Sequence, residues 1–108
     1  MKLPTEVFGD VVVVHTPEEL GTDNALLLER FLTSRERSNV IVDLDGSETI
    51  DSGGLEALLN AQEALRALHG DLKIATSNGA NRKILEVTRL AEQLEVFDTV
   101  IDAVKSFT

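Results

Sequence analysis

Asp51-Ser52-Gly53-Gly54-Leu55-Glu56 is the stretch on which the reading of this sequence turns. Just upstream, Val40-Ile41-Val42-Asp43-Leu44 is a short apolar, β-branched run that reads as a buried strand, broken by Asp45-Gly46-Ser47. Downstream, Leu55, Leu58, Leu59, Leu65 and Leu68 recur at helical spacing, with Ala61 and Ala64 close by. A helix is therefore expected from about Gly53 to His69, with Gly70 as its stop. Ser52 falls at the N-terminus of that helix, with a carboxylate before it and two glycines after it.

Similar strand and helix signals lie on both sides. Glu6-Val7-Phe8 and Val11–Val14 read as strands joined by a Gly9-Asp10 hairpin turn, because glycine accepts a positive φ without a Cβ clash. The uniformly β-branched Val11–Val14 suits a strand covered on both faces. His15-Thr16-Pro17-Glu18-Glu19 reads as a connection. A helix follows from about Thr22, capped by Thr22 or Asp23, with Leu27, Leu28, Phe31 and Leu32 apolar.

After the long helix come a strand at Leu72–Ala75, a loop at Ser77-Asn78-Gly79 and a helix over Ala80–Val87. A strand at Leu94–Phe97 and a final helix capped by Asp98 or Thr99 through Val104 complete the chain. The order is β-β-α-β-α-β-α-β-α. It implies right-handed crossovers and a mostly parallel mixed sheet of about five strands with about four helices. One α/β domain over residues 1–108 is expected, since 108 residues suit a single core.

Composition excludes several function classes. There is no cysteine, which removes disulfides, thiolate metal sites and cysteine nucleophiles. No apolar run approaches the roughly 20 residues of a bilayer span, and the N-terminus does not read as a signal peptide, so a soluble cytoplasmic protein is expected. The net charge of −9 argues against nucleic acid and anionic membranes and fits a partner with a basic surface. Between Arg37 and Arg66 there is no Lys or Arg, while Asp43, Asp45, Glu48, Asp51, Glu56 and Glu63 fall in that interval. The acidic block is centred on Ser52.

Four chemistries compete for these residues. Asp43-Leu44-Asp45-Gly46-Ser47 resembles the nucleophile motif of haloacid dehalogenase-type phosphatases. That chemistry also needs Mg²⁺, a later phosphate-binding Lys and a distal acidic pair; no adjacent acidic pair follows, and the chain is short for that core. Asp43 and Asp45 otherwise serve a strand end and its turn. An EF-hand loop fails, with Glu48 where glycine is required and Gly54 where a bidentate Glu is required.

A serine hydrolase lacks the glycine two residues before Ser52. Its base could only be His69, about 25 Å away along the helix, or His15, to which that distance argument does not apply. The fourth reading is Ser52 as a regulatory phosphosite. A helix N-terminus suits a phosphate, and Gly53 and Gly54, each costing about 1 kcal/mol against Ala in a helix, leave the backbone open to a kinase. Against it stands an N-cap at Asp51 or Ser52. The residues alone leave cap and phosphosite even.

With its flanking element order, Asp51-Ser52-Gly53-Gly54-Leu55 resembles the STAS domain of bacterial anti-sigma factor antagonists, whose signature is Asp-Ser-(Ser or Thr)-Gly-Leu-Gly. Lys83-Ile84-Leu85-Glu86-Val87-Thr88-Arg89-Leu90 resembles the family's third helix ending in Thr-Gly-Leu, and Val96-Phe97-Asp98 to Val104 its closing strand and helix. The resemblance implies a non-enzymatic binding switch with no cofactor or metal. An anti-sigma factor that is also a serine kinase would phosphorylate Ser52, the unphosphorylated form would bind that kinase and free the sigma factor, and a serine phosphatase would restore binding.

By the same resemblance, Asp51, Gly53, Gly54, Glu56, Glu18 and Glu19 would face the partner. An alternative is a STAS scaffold or ligand module of a stressosome-like or lipid-transport-like assembly, without a switch. The chain departs from the family pattern at four places. Gly53 stands for the second hydroxyl residue, Glu56 for the glycine after Leu, and Arg89 for the glycine of Thr-Gly-Leu. Pro17-Glu18-Glu19-Leu20 stands for Gly-Glu-Leu-Asp, leaving Glu19 or Asp23 to replace the Asp.

Overall fold

The computed structural model describes all residues from Met1 to Thr108. Its strands are β1 (Thr5–Phe8), β2 (Val11–His15), β3 (Glu19–Leu20), β4 (Asn39–Asp43), β5 (Thr49–Ile50), β6 (Asp71–Ala75) and β7 (Val96–Phe97). The helices are α1 (Ala25–Thr33), α2 (Ser52–Ala67), α3 (Gly79–Val87) and α4 (Val100–Lys105), with a 3₁₀ turn at Leu90–Glu92. The main sheet has the order β1-β2-β4-β6-β7. β1 and β2 pair antiparallel through the two-residue Gly9-Asp10 turn, with Gly9 at φ +60°, and all the other pairs are parallel. The expected mixed five-stranded sheet with four helices is what forms.

Alternation along β2 explains how the layers assemble. Val12 and Val14 point into the larger core with Val40, Val42, Leu72 and Ile74, which α1, α2 and α3 cover through Leu28, Leu32, Leu58, Leu65 and Leu85. Val11 and Val13 point the other way, to Ile41 and Ala75, under Ala103 of α4. A strand buried on both faces has no polar positions to alternate, which is why four valines follow one another. No helix is long and apolar enough to cross a membrane.

Several expectations need correction. Thr22 and Asp23 do not cap α1, which begins after Asn24. Leu27 is about half exposed and Leu68 more than half, so neither belongs to the core. α2 ends at Ala67, and the left-handed residue beyond it is His69 (φ 66°), not Gly70. The His69 amide donates to the Arg66 carbonyl and the Gly70 amide to the Leu65 carbonyl, the paired bonds of a Schellman ending. Gly70 is small for another reason: a Cβ there would lie 2.0 Å from the Ser38 carbonyl oxygen. The last strand contains only Val96–Phe97, with Leu94 buried just before it.

The main omission of the sequence reading is a second, two-stranded parallel sheet, β3 with β5, which pairs Glu19 with Thr49 and Leu20 with Ile50. Two-residue strands carry no periodicity, so the segment around Glu19 read as a connection. This small sheet sets the shape of the region around Ser52.

Candidate functional site

Parallel strands deliver their loops to one edge, and the loop after β4 runs through β5 into α2 there. The Asp51 amide donates to the Leu20 carbonyl (3.0 Å), and the Glu48 amide to the Glu18 carbonyl (2.8 Å), so β3 and β5 bring Leu20–Thr22 against the start of α2. Asn24 holds that turn. Its amide group donates to the Glu19 carbonyl (2.7 Å), and its side-chain oxygen accepts from the Gly21 amide (2.9 Å).

Asp51 is the N-cap of α2. One carboxylate oxygen accepts from the amides of Gly53 (2.8 Å) and Gly54 (3.2 Å), and the other from the amide of Thr22 (3.1 Å). The bond from the Thr22 amide, then those from Gly54 and Gly53, hold this carboxylate below the ordinary carboxylate pKa, and desolvation opposes them. Asp51 thus ties the β3–α1 turn to the α2 N-terminus while satisfying two of the helix's free amides.

Ser52 is left as the first residue of α2, exposed, with its hydroxyl in no hydrogen bond within the chain. Of the two candidate caps, the structure selects Asp51. The Ser52 hydroxyl takes no part in the cap.

The reason for the two glycines also changes. A Cβ on Gly53 would meet Thr22 Oγ1 at 2.6 Å and Thr22 Cα at 2.7 Å; one on Gly54 would meet the Leu20 carbonyl oxygen at 2.6 Å. Gly54 is buried and Gly53 half-buried. They permit the β3–α1 turn to lie on the helix, so their smallness serves a close contact within the chain. That contact accounts for their smallness within the chain itself, while Gly53 stays partly exposed. Thr22, Gly21 and Asn24 are the site residues the sequence reading did not single out. The polar run Gly21-Thr22-Asp23-Asn24 signalled a turn but not its proximity to Asp51.

Glu18, Glu19 and Glu56 are exposed. Glu19 and Asp23, the two proposed substitutes for the family's Asp, both line a cleft of about 210 Å³ beside Asp51. Asp43 and Asp45, weighed as a phosphatase pair, are engaged with other partners. Asp43 accepts from the ring of His15 (2.8 Å) and the Asp45 amide (3.0 Å). Asp45 accepts from Thr76 Oγ1 and from the amide and hydroxyl of Ser77. Burial raises the Asp45 pKa, but these bonds outweigh it and leave the group below its usual range. His69 is exposed at the far end of α2, and His15 lies between Asp43 and Glu6. Neither histidine bonds to Ser52.

Comparison with known proteins gives a consistent answer. A family model described as the STAS domain matches residues 2–103. A Thermotoga neapolitana protein, named as the homologue of a candidate anti-sigma factor antagonist, is 23% identical over 106 residues, covering 94% of each chain. The crystal structure of an anti-sigma factor antagonist from Mycobacterium paratuberculosis superposes with a TM-score of 0.83 at 23% identity, covering 97% of this chain and 92% of that one. The Bacillus cell fate determinant SpoIIAA in its phosphorylated form superposes with a TM-score of 0.71 at 17% identity, covering 99% and 100% of the two chains. Sheet order, the Asp-Ser turn opening α2 and a family match over nearly the whole length agree: the chain belongs to the STAS domain family.

Proposed function

We propose that this protein is an anti-sigma factor antagonist that binds an anti-sigma factor with serine kinase activity, releases the sigma factor, and is switched off by phosphorylation of Ser52. The observation that carries the reading is the free Ser52 hydroxyl, exposed at the first position of α2 while Asp51 does the capping. A serine kept only for helix stability would accept an amide bond, and this one does not.

A docked kinase holds its nucleotide phosphates opposite the acceptor hydroxyl. Transfer places about −1.5 to −2 charges on Ser52, between Asp51 and Glu56 and against that phosphate-bearing site. Like charges and the desolvation of a dianion then oppose re-docking. Asp51, Glu56, Glu18 and Glu19 form the partner-facing surface, with Gly53 and Gly54 acting through the shape of the turn. A serine phosphatase resets the switch. The cleft beside Asp51, about 210 Å³, falls below the roughly 300–1,000 Å³ of typical small-molecule sites, which disfavours a small ligand at that position.

The test is phosphate mapping by mass spectrometry after incubation with ATP and the purified anti-sigma factor kinases of the source organism. One phosphate on Ser52, absent in Ser52→Ala, is expected. An unmodified chain with every such kinase rejects the switch.

A further inference from the structure

The six ion pairs of the chain engage Glu6, Asp43, Asp71, Glu86, Glu95 and Asp98. None of the carboxylates around the first half of α2 takes part: Glu19, Asp23, Glu29, Asp51 and Glu56 have no cation of their own chain within ion-pair distance. This face therefore carries uncompensated negative charge.

Beside it runs a groove between α1 and α2, of about 260 Å³, lined by Thr22, Ala25, Leu26, Glu29, Gly53 and Glu56 among others. Leu26 is 58% exposed at this groove, on a helix whose buried side is Leu28, Phe31 and Leu32. Glu56 lies four residues after Ser52, one helical turn along the same side of α2. An exposed leucine sharing a groove with two carboxylates that form no ion pair, one of them accepting only from the Asn60 amide (3.5 Å), fits a segment with an apolar side chain flanked by cations.

We propose that the α1–α2 groove is where the anti-sigma partner anchors, through a segment that places an apolar side chain on Leu26 and Lys or Arg side chains against Glu29 and Glu56. This rests on the partner-switching reading above. It divides the surface into two parts: Ser52, where the phosphate acts, and a groove one turn away that supplies affinity and partner choice. Glu56, which stands where the family pattern has glycine, then selects a partner carrying a matching cation. Rim charges of this kind act on association rate and specificity, and their effect falls with ionic strength.

The test uses the full chain, unphosphorylated, titrated with the purified anti-sigma factor serine kinases of the source organism in the presence of ADP. Leu26→Ser and Glu56→Arg are each expected to weaken binding three- to tenfold or more. Glu63→Arg, which lies outside the groove, should change binding less than twofold. The salt dependence should be shallower for Glu56→Arg than for wild type. Leu26 and Glu56 are exposed, so thermal melts of these variants should match wild type and separate binding from folding. If a kinase binds wild type and both groove variants equally, the groove assignment is overturned while the switch at Ser52 stands. If no kinase binds wild type, the partner reading fails and the groove proposal fails with it.

Discussion

Replacing Gly54 with alanine should destabilise the protein, although alanine is the better helix former. Propensity alone favours Gly54→Ala by up to about 1 kcal/mol. Against this, the new Cβ would sit 2.6 Å from the Leu20 carbonyl oxygen, 2.9 Å from its carbon and 3.0 Å from Leu20 Cγ. Two of these atoms are backbone and cannot rotate away. β3 would have to retreat, stretching the 3.0 Å bond from the Asp51 amide to that same carbonyl. Overpacking of this kind costs about 1–3 kcal/mol, and a weakened hydrogen bond adds up to about 1 kcal/mol. With helix propensity and the weakened bond roughly cancelling, the net expectation is a loss of about 1–3 kcal/mol, with Tm falling by roughly 4–8 °C per kcal/mol. Gly79→Ala is the internal control. It opens α3, where an added Cβ meets nothing within 4 Å, so the same substitution should stabilise by about 0.4–1 kcal/mol. Urea unfolding of the two variants beside wild type measures both signs. A Gly54→Ala protein as stable as wild type would refute the packing of Leu20–Thr22 on α2.

Other expectations follow from the same structure. The ring nitrogens of His15 lie 2.7 Å from a Glu6 carboxylate oxygen and 2.8 Å from one of Asp43, and the protonated ring can donate to both at once. Burial lowers its pKa, but the bonds and charges of Glu6 and Asp43 prevail and hold it above 6.5. Its stabilising contribution is therefore full below about pH 6.5 and lost as pH rises through the folded-state value, so the urea-midpoint gap between wild type and His15→Gln should shrink from pH 6 to pH 9. Arg89 occupies a left-handed backbone position (φ 63°, ψ 13°), where the family pattern has glycine, so Arg89→Gly should leave stability unchanged or raise it by up to about 1 kcal/mol in thermal melts. Leu58→Ala empties a fully buried position on the core side of α2 and should cost about 2–5 kcal/mol by denaturant titration.

What could be read from the sequence was whatever repeats with a period. Val11–Val14, Val40–Val42 and the leucines of α2 each repeat over several residues, and the sheet order and layers follow from them. Contacts set by a single close approach were not legible. β3 and β5 are too short for any period, so the approach of Leu20–Thr22 to α2 left no pattern. The glycines at 53 and 54 were visible, but glycine looks the same whether it faces a partner or its own chain. Asp51 and Ser52 are equal as caps in the sequence; only the fold, in which the Asp51 carboxylate holds Thr22, Gly53 and Gly54 together, separates them. The outward turn of Leu27 and Leu68 has the same origin, because helical spacing gives a face but not the width of the surface that covers it.

The central claim is that the charge state of Ser52 switches partner binding on and off, with the fold unchanged. Its most direct test is isothermal titration of the cognate anti-sigma factor kinase, with ADP, into the unphosphorylated chain and into the chain phosphorylated at Ser52. Because Asp51 already holds the Gly53 and Gly54 amides, the phosphate has no reason to rebuild the helix start, and the two forms should give superimposable amide spectra beyond the first turn of α2. Binding should be tight for the first form and at least a hundredfold weaker for the second. Equal affinity of the two forms would contradict the account.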